Sequence, residues 1–411
     1  MRLLLLLLLC LQLCGIGVAR AQSPEEFGVT TLTPPTLTLQ PGPKYWPRLR
    51  MWQGIPSIER TVKGRLWATW YCGPIIEGQN GDGNYAVLVT SSDDGKTWSL
   101  PIAVYDATAL FGGITLDPHL WIDPDGRLWW FVNRNLKVTD PNGTFSVWGF
   151  CTDNADTDSP KWNTPVFAGY GSALNKPTVL SNGDWLRPVD SFNKNDPERT
   201  KFYVSRDKGK SFSFLSKTPI ENGSFSEQMI VERKDGSLFA FSRALYGIAQ
   251  IESTDWGRTW KNDHPFTKER GVNARFFLRR LKSGALLLVA NDHFKERTNM
   301  TAMLSEDEGK TWPHKLLLDD RALVSYPDGV EGTNGFLYII HDRGRYAKGE
   351  QEILFAKITE ADIQAGKLIN PESRLRQLID RLADHGGGVH ATNETKKLLQ
   401  AYKKEYGKVN D

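Results

Sequence analysis

An eight-residue pattern, Ser-x-Asp-x-Gly-x-Thr/Ser-Trp/Phe, occurs four times in this chain, at residues 91–98, 205–212, 253–260 and 305–312. Its chemistry is local. The Asp side chain hydrogen-bonds the backbone of its own turn, glycine takes the positive φ that such a turn needs, and the closing aromatic is left to bury itself under the hairpin. One copy could arise by chance, but four at regular spacing mark a repeat architecture.

A second repeat sets the count. A glycine followed two residues later by a bulky apolar strand recurs at Gly64, Gly126, Gly183, Gly236, Gly284 and Gly335, with intervals of 62, 57, 53, 48 and 51 residues. Four of these strands lead through a short β-rich run to the Ser-x-Asp turn. After Gly126 the turn is degenerate, running from Thr152-Asp153 to Trp162. Six units of this period predict an all-β fold, a six-bladed β-propeller. A sandwich array would not impose so regular a period. The repeat also overrides the two or three domains that 411 residues would otherwise suggest.

The segments outside the repeat read differently. Arg2, a leucine run at residues 3–9 and Ala19-Arg20-Ala21 before Gln22 form a cleavable export signal over residues 1–21. The apolar run is too short for a membrane anchor, and no membrane span is expected. Lipoprotein anchoring through Cys14 is disfavoured by the bulky Leu13 before it. The expected location is therefore secreted or periplasmic, leaving Cys72 and Cys151 either joined in an oxidising compartment or as two buried thiols, with thiols preferred. Sequons at Asn142, Asn222, Asn299 and Asn393 matter only in a glycosylating host. Residues 22–44 form an extended lead-in able to donate a closing strand, and residues 45–366 form the propeller. Residues 367–411 are a short C-terminal helical appendage with a charged tail, because Leu375, Leu378, Ile379 and Leu382 have helical spacing. A net charge of +3 over this length says nothing about nucleic-acid or membrane partners, so any anion recognition has to be local; no nucleic-acid partner is expected.

A propeller binds its ligand where the inner strands meet the axis, so polar residues beside those strands are the candidates. They are Lys176, Asp117, Glu227, Arg243, Arg275, Arg297, Tyr326 and Asp328. A single arginine on a strand is ordinarily a surface residue, but Arg, Glu and Tyr recurring at corresponding strand ends are not explained that way. His119 and His293 read as hydrogen-bonding residues at strand ends. No His/Cys cluster has metal-ligand spacing, and no cofactor or metal is expected.

Over about residues 45–365 the chain resembles the sialidase (neuraminidase) superfamily, whose Ser-x-Asp-x-Gly-x-x-Trp turns are known as Asp boxes or BNR repeats. The resemblance implies a glycoside hydrolase, a retaining exo-α-sialidase. In that family an arginine triad clamps the substrate carboxylate, a Tyr attacks the anomeric carbon, a Glu activates it, and an Asp serves as acid/base. The segments around Glu227 and Arg243 resemble the family's Glu segment and the triad arginine that follows it. Arg297 and Tyr326 likewise match a second triad arginine and the nucleophile. The first half departs from the pattern: the family's Arg-Ile-Pro is here Gly54-Ile55-Pro56, which cannot hold a carboxylate. Arg50, Arg275 or Arg343 could compensate, with Arg275 preferred. Glu77 and Asp82 occupy the acid/base region. The chemistry suits these residue types, because a Tyr stays neutral until Glu takes its proton and so avoids repulsion from a substrate carboxylate. Grouped arginines are also expected to lower the Tyr pKa. The partner is then a sialylated or other acidic glycan. A hydrolase or lyase of uronate-containing glycans, and a non-catalytic carbohydrate-binding propeller, are the alternatives.

Overall fold

In the computed structural model each Asp box is closed by its own side chains. The Asp93 carboxylate accepts from Ser91 Oγ at 2.8 Å, Thr97 N at 2.9 Å and Thr97 Oγ1 at 2.6 Å, while Gly95 N donates to Ser91 Oγ at 3.0 Å. The same set recurs around Asp207, Asp255 and Asp307. Glycine is required at Gly95 twice over: its φ is +82°, and an added Cβ would lie 2.4 Å from the Phe355 ring. The structure describes residues 30–388 apart from 75–82, 110–112, 137, 139–143, 192–195, 197, 226, 268–269 and 346–349, together with residues 393 and 397. The expected export signal at residues 1–21 lies outside the described residues.

Six antiparallel sheets follow one another, each built from strands consecutive in sequence. Their inner strands are Trp52–Arg60, Ile114–Ile122, Thr178–Val179, Met229–Glu232, Phe277–Arg280 and Val324–Glu331, for blades 1 to 6. The fold is the expected six-bladed β-propeller. Between the third and fourth strands of a blade, the Asp-box aromatic wedges against the preceding blade. Trp98 of blade 1 packs edge-on to Phe355 of blade 6, Trp260 of blade 4 stacks on Phe202 of blade 3, and Trp312 of blade 5 meets Phe266 after blade 4. The repeat thus supplies the turn and the blade-to-blade contact together, and burying these rings joins the sheets.

The ring closes through side chains. Asp328 of blade 6 accepts from Ser57 Oγ at 2.6 Å and from Ile58 N at 3.1 Å, both in blade 1. Lys176, preceding the inner strand of blade 3, reaches Asp328 at 3.0 Å and Glu59 at 2.9 Å. It also donates to the carbonyls of Ile58 and Leu120, each at 2.8 Å. One buried ammonium therefore ties the inner strands of blades 1, 2 and 6. Burial pushes the Glu59 carboxyl above its ordinary range, against the downward pull of Lys176.

One expectation about the ends is corrected. Residues 372–383 do not form the expected helix: Arg374–Arg381 is a strand that pairs with Glu352–Ile358 and completes blade 6 as its outer edge, and only a short 3-10 turn, Leu382–His385, follows it. The helix lies earlier, at Glu360–Ala365, with a Thr359 capping box and Gly366 in the left-handed conformation at its end. The apolar spacing misleads because the pairing slips at two places, between Ile353 and Leu354 and between Phe355 and Lys357, so strict strand alternation is lost. At the other end, Thr38–Leu39 adds a fifth strand to the outside of blade 1 by pairing with Val104 and Ala103. Cys72 and Cys151 are free, buried thiols. No described helix is long and apolar enough to cross a membrane.

Candidate active site

Three inner strands share one irregularity. Gly54-Ile55-Pro56, Leu116-Asp117-Pro118 and Ser325-Tyr326-Pro327 each shift register at a bulge. The residue before proline takes a positive φ: +58° at Ile55, +42° at Asp117 and +55° at Tyr326. Non-glycine residues adopt this conformation at a cost on the order of 1–3 kcal/mol, and such strain persists where the surroundings hold a side chain in a required place. A common bulge therefore carries Tyr326 in blade 6 and Asp117 in blade 2. Comparing the three X-Pro steps could have exposed this from sequence.

At Tyr326 the bulge brings together residues far apart in the chain. The Tyr326 hydroxyl donates to Glu227 Oε1 at 3.1 Å. Arg243 Nη1 donates to that same oxygen at 2.9 Å and to the Tyr326 hydroxyl oxygen at 3.2 Å. Asn273 holds the arginine from behind, through its side-chain oxygen to Nε at 2.6 Å and its carbonyl to Nη2 at 3.1 Å. The Arg297 guanidinium lies 5.4 Å from the centre of the Tyr326 ring and makes no hydrogen bond or ion pair to another described side chain. Tyr326 is 7% exposed, Arg243 5% and Glu227 2%, so the group sits deep.

Burial, reinforced by the charge of Glu227, holds the Tyr326 hydroxyl well above its ordinary pKa. Arg243, Arg345 and Arg297 pull it down but do not prevail, which corrects the expectation of a lowered value. Desolvating a phenolate outweighs three nearby cations here. At rest the phenol keeps its proton and needs a base, and Glu227 is in hydrogen-bond contact with it.

Sequence reasoning missed Arg345. It is 3% exposed, its guanidinium lies 4.2 Å from the centre of the Tyr326 ring, and its Nη1 donates to Asp342 Oδ2 at 3.3 Å. Asp342 also accepts from Ile55 N at 2.7 Å and Ser325 Oγ at 2.9 Å, which binds the bulges of blades 1 and 6 together. The other arginines considered for the missing position are engaged elsewhere. Arg275, 1% exposed, donates to Asn175 Oδ1, Pro327 O and Leu174 O. Arg343 pairs with Glu352 at 3.1 Å. Arg50 donates to Tyr45 O, and Asp380 lies 3.7 Å from it.

The remaining candidates fall in several places. Lys176 and Asp328 form the axial tether and do not adjoin the Tyr326 hydroxyl by any bond described. Asp117 is 8% exposed on its bulge, and its carbonyl accepts from Asn133 at 3.0 Å. His119 is buried, stacked on Phe131 and in contact with Arg187. Burial and the Arg187 charge hold its pKa well below the ordinary value. His293 accepts from the backbone of Lys295 and Glu296. Glu77 and Asp82 lie outside the described residues. Among the described residues, no group of three His, Cys, Asp or Glu side chains is placed to hold a metal ion.

Residues 112–339 match the family model of the BNR repeat-like domain. No curated protein matches this chain in sequence. Among solved structures, the Hadza microbial sialidase Hz136 is similar over 72% of this chain, with a TM-score of 0.57 and 18% identity. This chain spans only 64% of the length of that protein. The NanB sialidase from Streptococcus pneumoniae is similar over 83% of this chain and 73% of its own, with a TM-score of 0.61 and 12% identity. The intramolecular trans-sialidase from Ruminococcus gnavus is similar over 76% and 95%, with a TM-score of 0.60 and 14% identity. At these identities the likeness is one of fold.

Proposed function

This chain belongs to the BNR repeat-like domain family and has the propeller fold of sialidases, and on that premise we propose that it is a retaining glycoside hydrolase, an exo-α-sialidase acting on terminal sialic acid of glycoconjugates. The observation that carries this reading is the bonded group of Tyr326, Glu227 and Arg243. A structural tyrosine in a propeller core has no need of a buried carboxylate at its hydroxyl. A Tyr nucleophile does.

In the proposed reaction Glu227 takes the phenolic proton as Tyr326 Oη bonds to the anomeric carbon. The bond from that carbon to the leaving oxygen breaks, and a carboxylic acid among residues 75–82, Glu77 or Asp82, protonates the departing oxygen. Water then attacks the anomeric carbon as its bond to Tyr326 Oη breaks, the same carboxylate accepts a proton from the water, and Glu227 returns its proton to the departing phenolate. Arg243 and Arg297 hold the substrate carboxylate, for which the planar guanidinium fork is better suited than an ammonium. The export signal at residues 1–21 would place the enzyme outside the cytoplasm, where glycoconjugates are met.

Gly54 favours a second reading, a hydrolase or lyase acting on another acidic sugar such as a terminal uronate. Without an arginine at position 54, the position of the anion on the sugar is open to change. Release of 4-methylumbelliferone from its α-sialoside, by the protein and by its Tyr326→Phe variant, tests the proposal. Turnover lost in the variant supports it. Folded protein inactive on the sialoside but active on a glucuronide would replace it with the uronate reading. Sugar binding unchanged in the variant, without turnover in either form, would make the propeller a lectin.

A further inference from the structure

We propose that Arg345 is the third arginine of the anion clamp, delivered from blade 6 into the space that blade 1 leaves empty, and that Gly54 is glycine because Arg345 occupies that space. The inference rests on the glycosidase reading above and names the residue that determines its preference for an acidic sugar.

The packing at Gly54 is the first ground. A Cβ added there would fall 1.9 Å from Cδ and 2.4 Å from Cγ of Arg345, and 2.9 Å from Asp342 Oδ2. These are atoms from the middle of the arginine stem, which cannot swing aside without moving the guanidinium. Any side chain at position 54 and the observed Arg345 are therefore mutually exclusive. Blade 1 has not merely lost an arginine, because an arginine stem from another blade fills the volume.

The second ground is where the guanidinium ends. It lies 4.2 Å from the centre of the Tyr326 ring, while Arg297 lies 5.4 Å from it and Arg243 contacts the hydroxyl. Arginines of blades 4, 5 and 6 thus surround a single phenol. Asp342 fixes Arg345 to the blade 1 bulge, since Oδ2 accepts from both Arg345 Nη1 and Ile55 N. Among the described residues, the carboxylates bonded to these guanidinium groups are Glu227 and Asp342. A sugar attacked by this tyrosine and carrying a carboxylate on or next to its anomeric carbon would place its charge there. Arg275 spends its donors on Asn175 Oδ1 and the carbonyls of Leu174 and Pro327, while Arg343 pairs with Glu352 and Arg50 donates to the Tyr45 carbonyl.

The test compares wild type, Arg345→Ala, Arg345→Lys, Arg243→Ala and the exchange variant Gly54→Arg/Arg345→Gly. Each is assayed on 4-methylumbelliferyl α-sialoside and β-glucuronide, and for binding of 2-deoxy-2,3-didehydro-N-acetylneuraminic acid by calorimetry. On the acidic substrate that is turned over, Arg345→Ala is expected to raise KM at least tenfold with a smaller change in kcat. Arg345→Lys, which keeps the charge and loses the fork, should fall between. The exchange variant should recover part of the affinity, which a packing role for Arg345 would not produce. Equal unfolding midpoints in urea establish folding, and should Arg345→Ala fold poorly, Arg345→Lys and the exchange variant decide. KM and inhibitor affinity within twofold of wild type in the Arg345 variants, with Arg243→Ala strongly impaired, would overturn this inference and leave the glycosidase reading standing. Wild type that neither turns over nor binds any of these probes would overturn both.

Discussion

The Tyr326 hydroxyl stands 3.1 Å from Glu227 Oε1, the tyrosine on the inner strand of blade 6 and the glutamate at the entrance to that of blade 4. Because burial and the glutamate charge both oppose ionisation of the phenol, the proposed attack requires the proton to leave as the bond forms, with Glu227 as its acceptor. Glu227→Gln, which keeps the shape and removes the base, is expected to lower kcat by about 10²–10⁴-fold. Its KM should change far less, and steady-state kinetics on the active substrate checks both. An unchanged kcat would remove Glu227 from the reaction.

Lys176 was a candidate for substrate contact, but its ammonium is tied to Glu59 and Asp328 at 2.9 and 3.0 Å. Lys176→Met would leave buried Glu59 without its ion-pair partner and Asp328 with Arg275 alone, 3.6 Å away. A loss of about 3–5 kcal/mol is expected, seen as a lower urea midpoint, with KM of the remaining folded protein unchanged. A KM effect without a stability effect would return Lys176 to the binding site.

His119 makes stability depend on pH in a known direction. Its folded-state pKa is depressed by burial and by Arg187, whereas the unfolded side chain titrates near about 6.5. Below that value the unfolded state binds the proton and the native state does not, so stability falls as pH drops, by up to about 1.4 kcal/mol per unit. The loss continues until the depressed native pKa is reached, and above about 6.5 the group contributes no pH dependence. Unfolding free energies at pH 7.5 and 5.0 should differ less in His119→Gln than in wild type. Equal differences would show that His119 is not the group responsible.

The Asp-box glycines carry a packing demand beyond their turn. At Gly209 φ is +81° and an added Cβ would meet the rings of Trp185 and Trp129 at 2.6 and 2.7 Å. Gly209→Ala is expected to cost about 2 kcal/mol or more, from the left-handed backbone and the displaced rings together. Thermal melting should show the loss, with substrate KM unaltered because the turn lies away from Tyr326.

Burial pushes the Cys72 thiol up to about 11 and the Cys151 thiol to about 12, so neither is a thiolate near neutral pH. Both should resist thiol reagents in the native state and react on unfolding. A reducing agent should leave the melting temperature unchanged, whereas a drop would indicate a disulfide.

Local chemistry is what made the fold legible in the sequence. An Asp box closes on its own side chains and a blade hairpin on its own glycine, so their recurrence counted six blades without knowledge of any long-range contact. Tyr326, Glu227, Arg243 and Arg297 could be picked out because each lies in a segment whose pattern is itself recognisable, although their convergence was not visible. Three matters were left to tertiary structure. Residues 374–381 carry an apolar spacing compatible with a helix, and only the open edge of Glu352–Ile358, with its two slips of register, makes them a strand. The resting protonation of Tyr326 depends on how fully water is excluded, so counting nearby arginines gave the wrong direction. Replacement of the blade 1 arginine by Arg345 was hidden for a related reason. Ring closure sets the last blade against the first, so an absent side chain and the one filling its place stand at opposite ends of the propeller sequence. Only packing in three dimensions makes one residue's volume the other's vacancy.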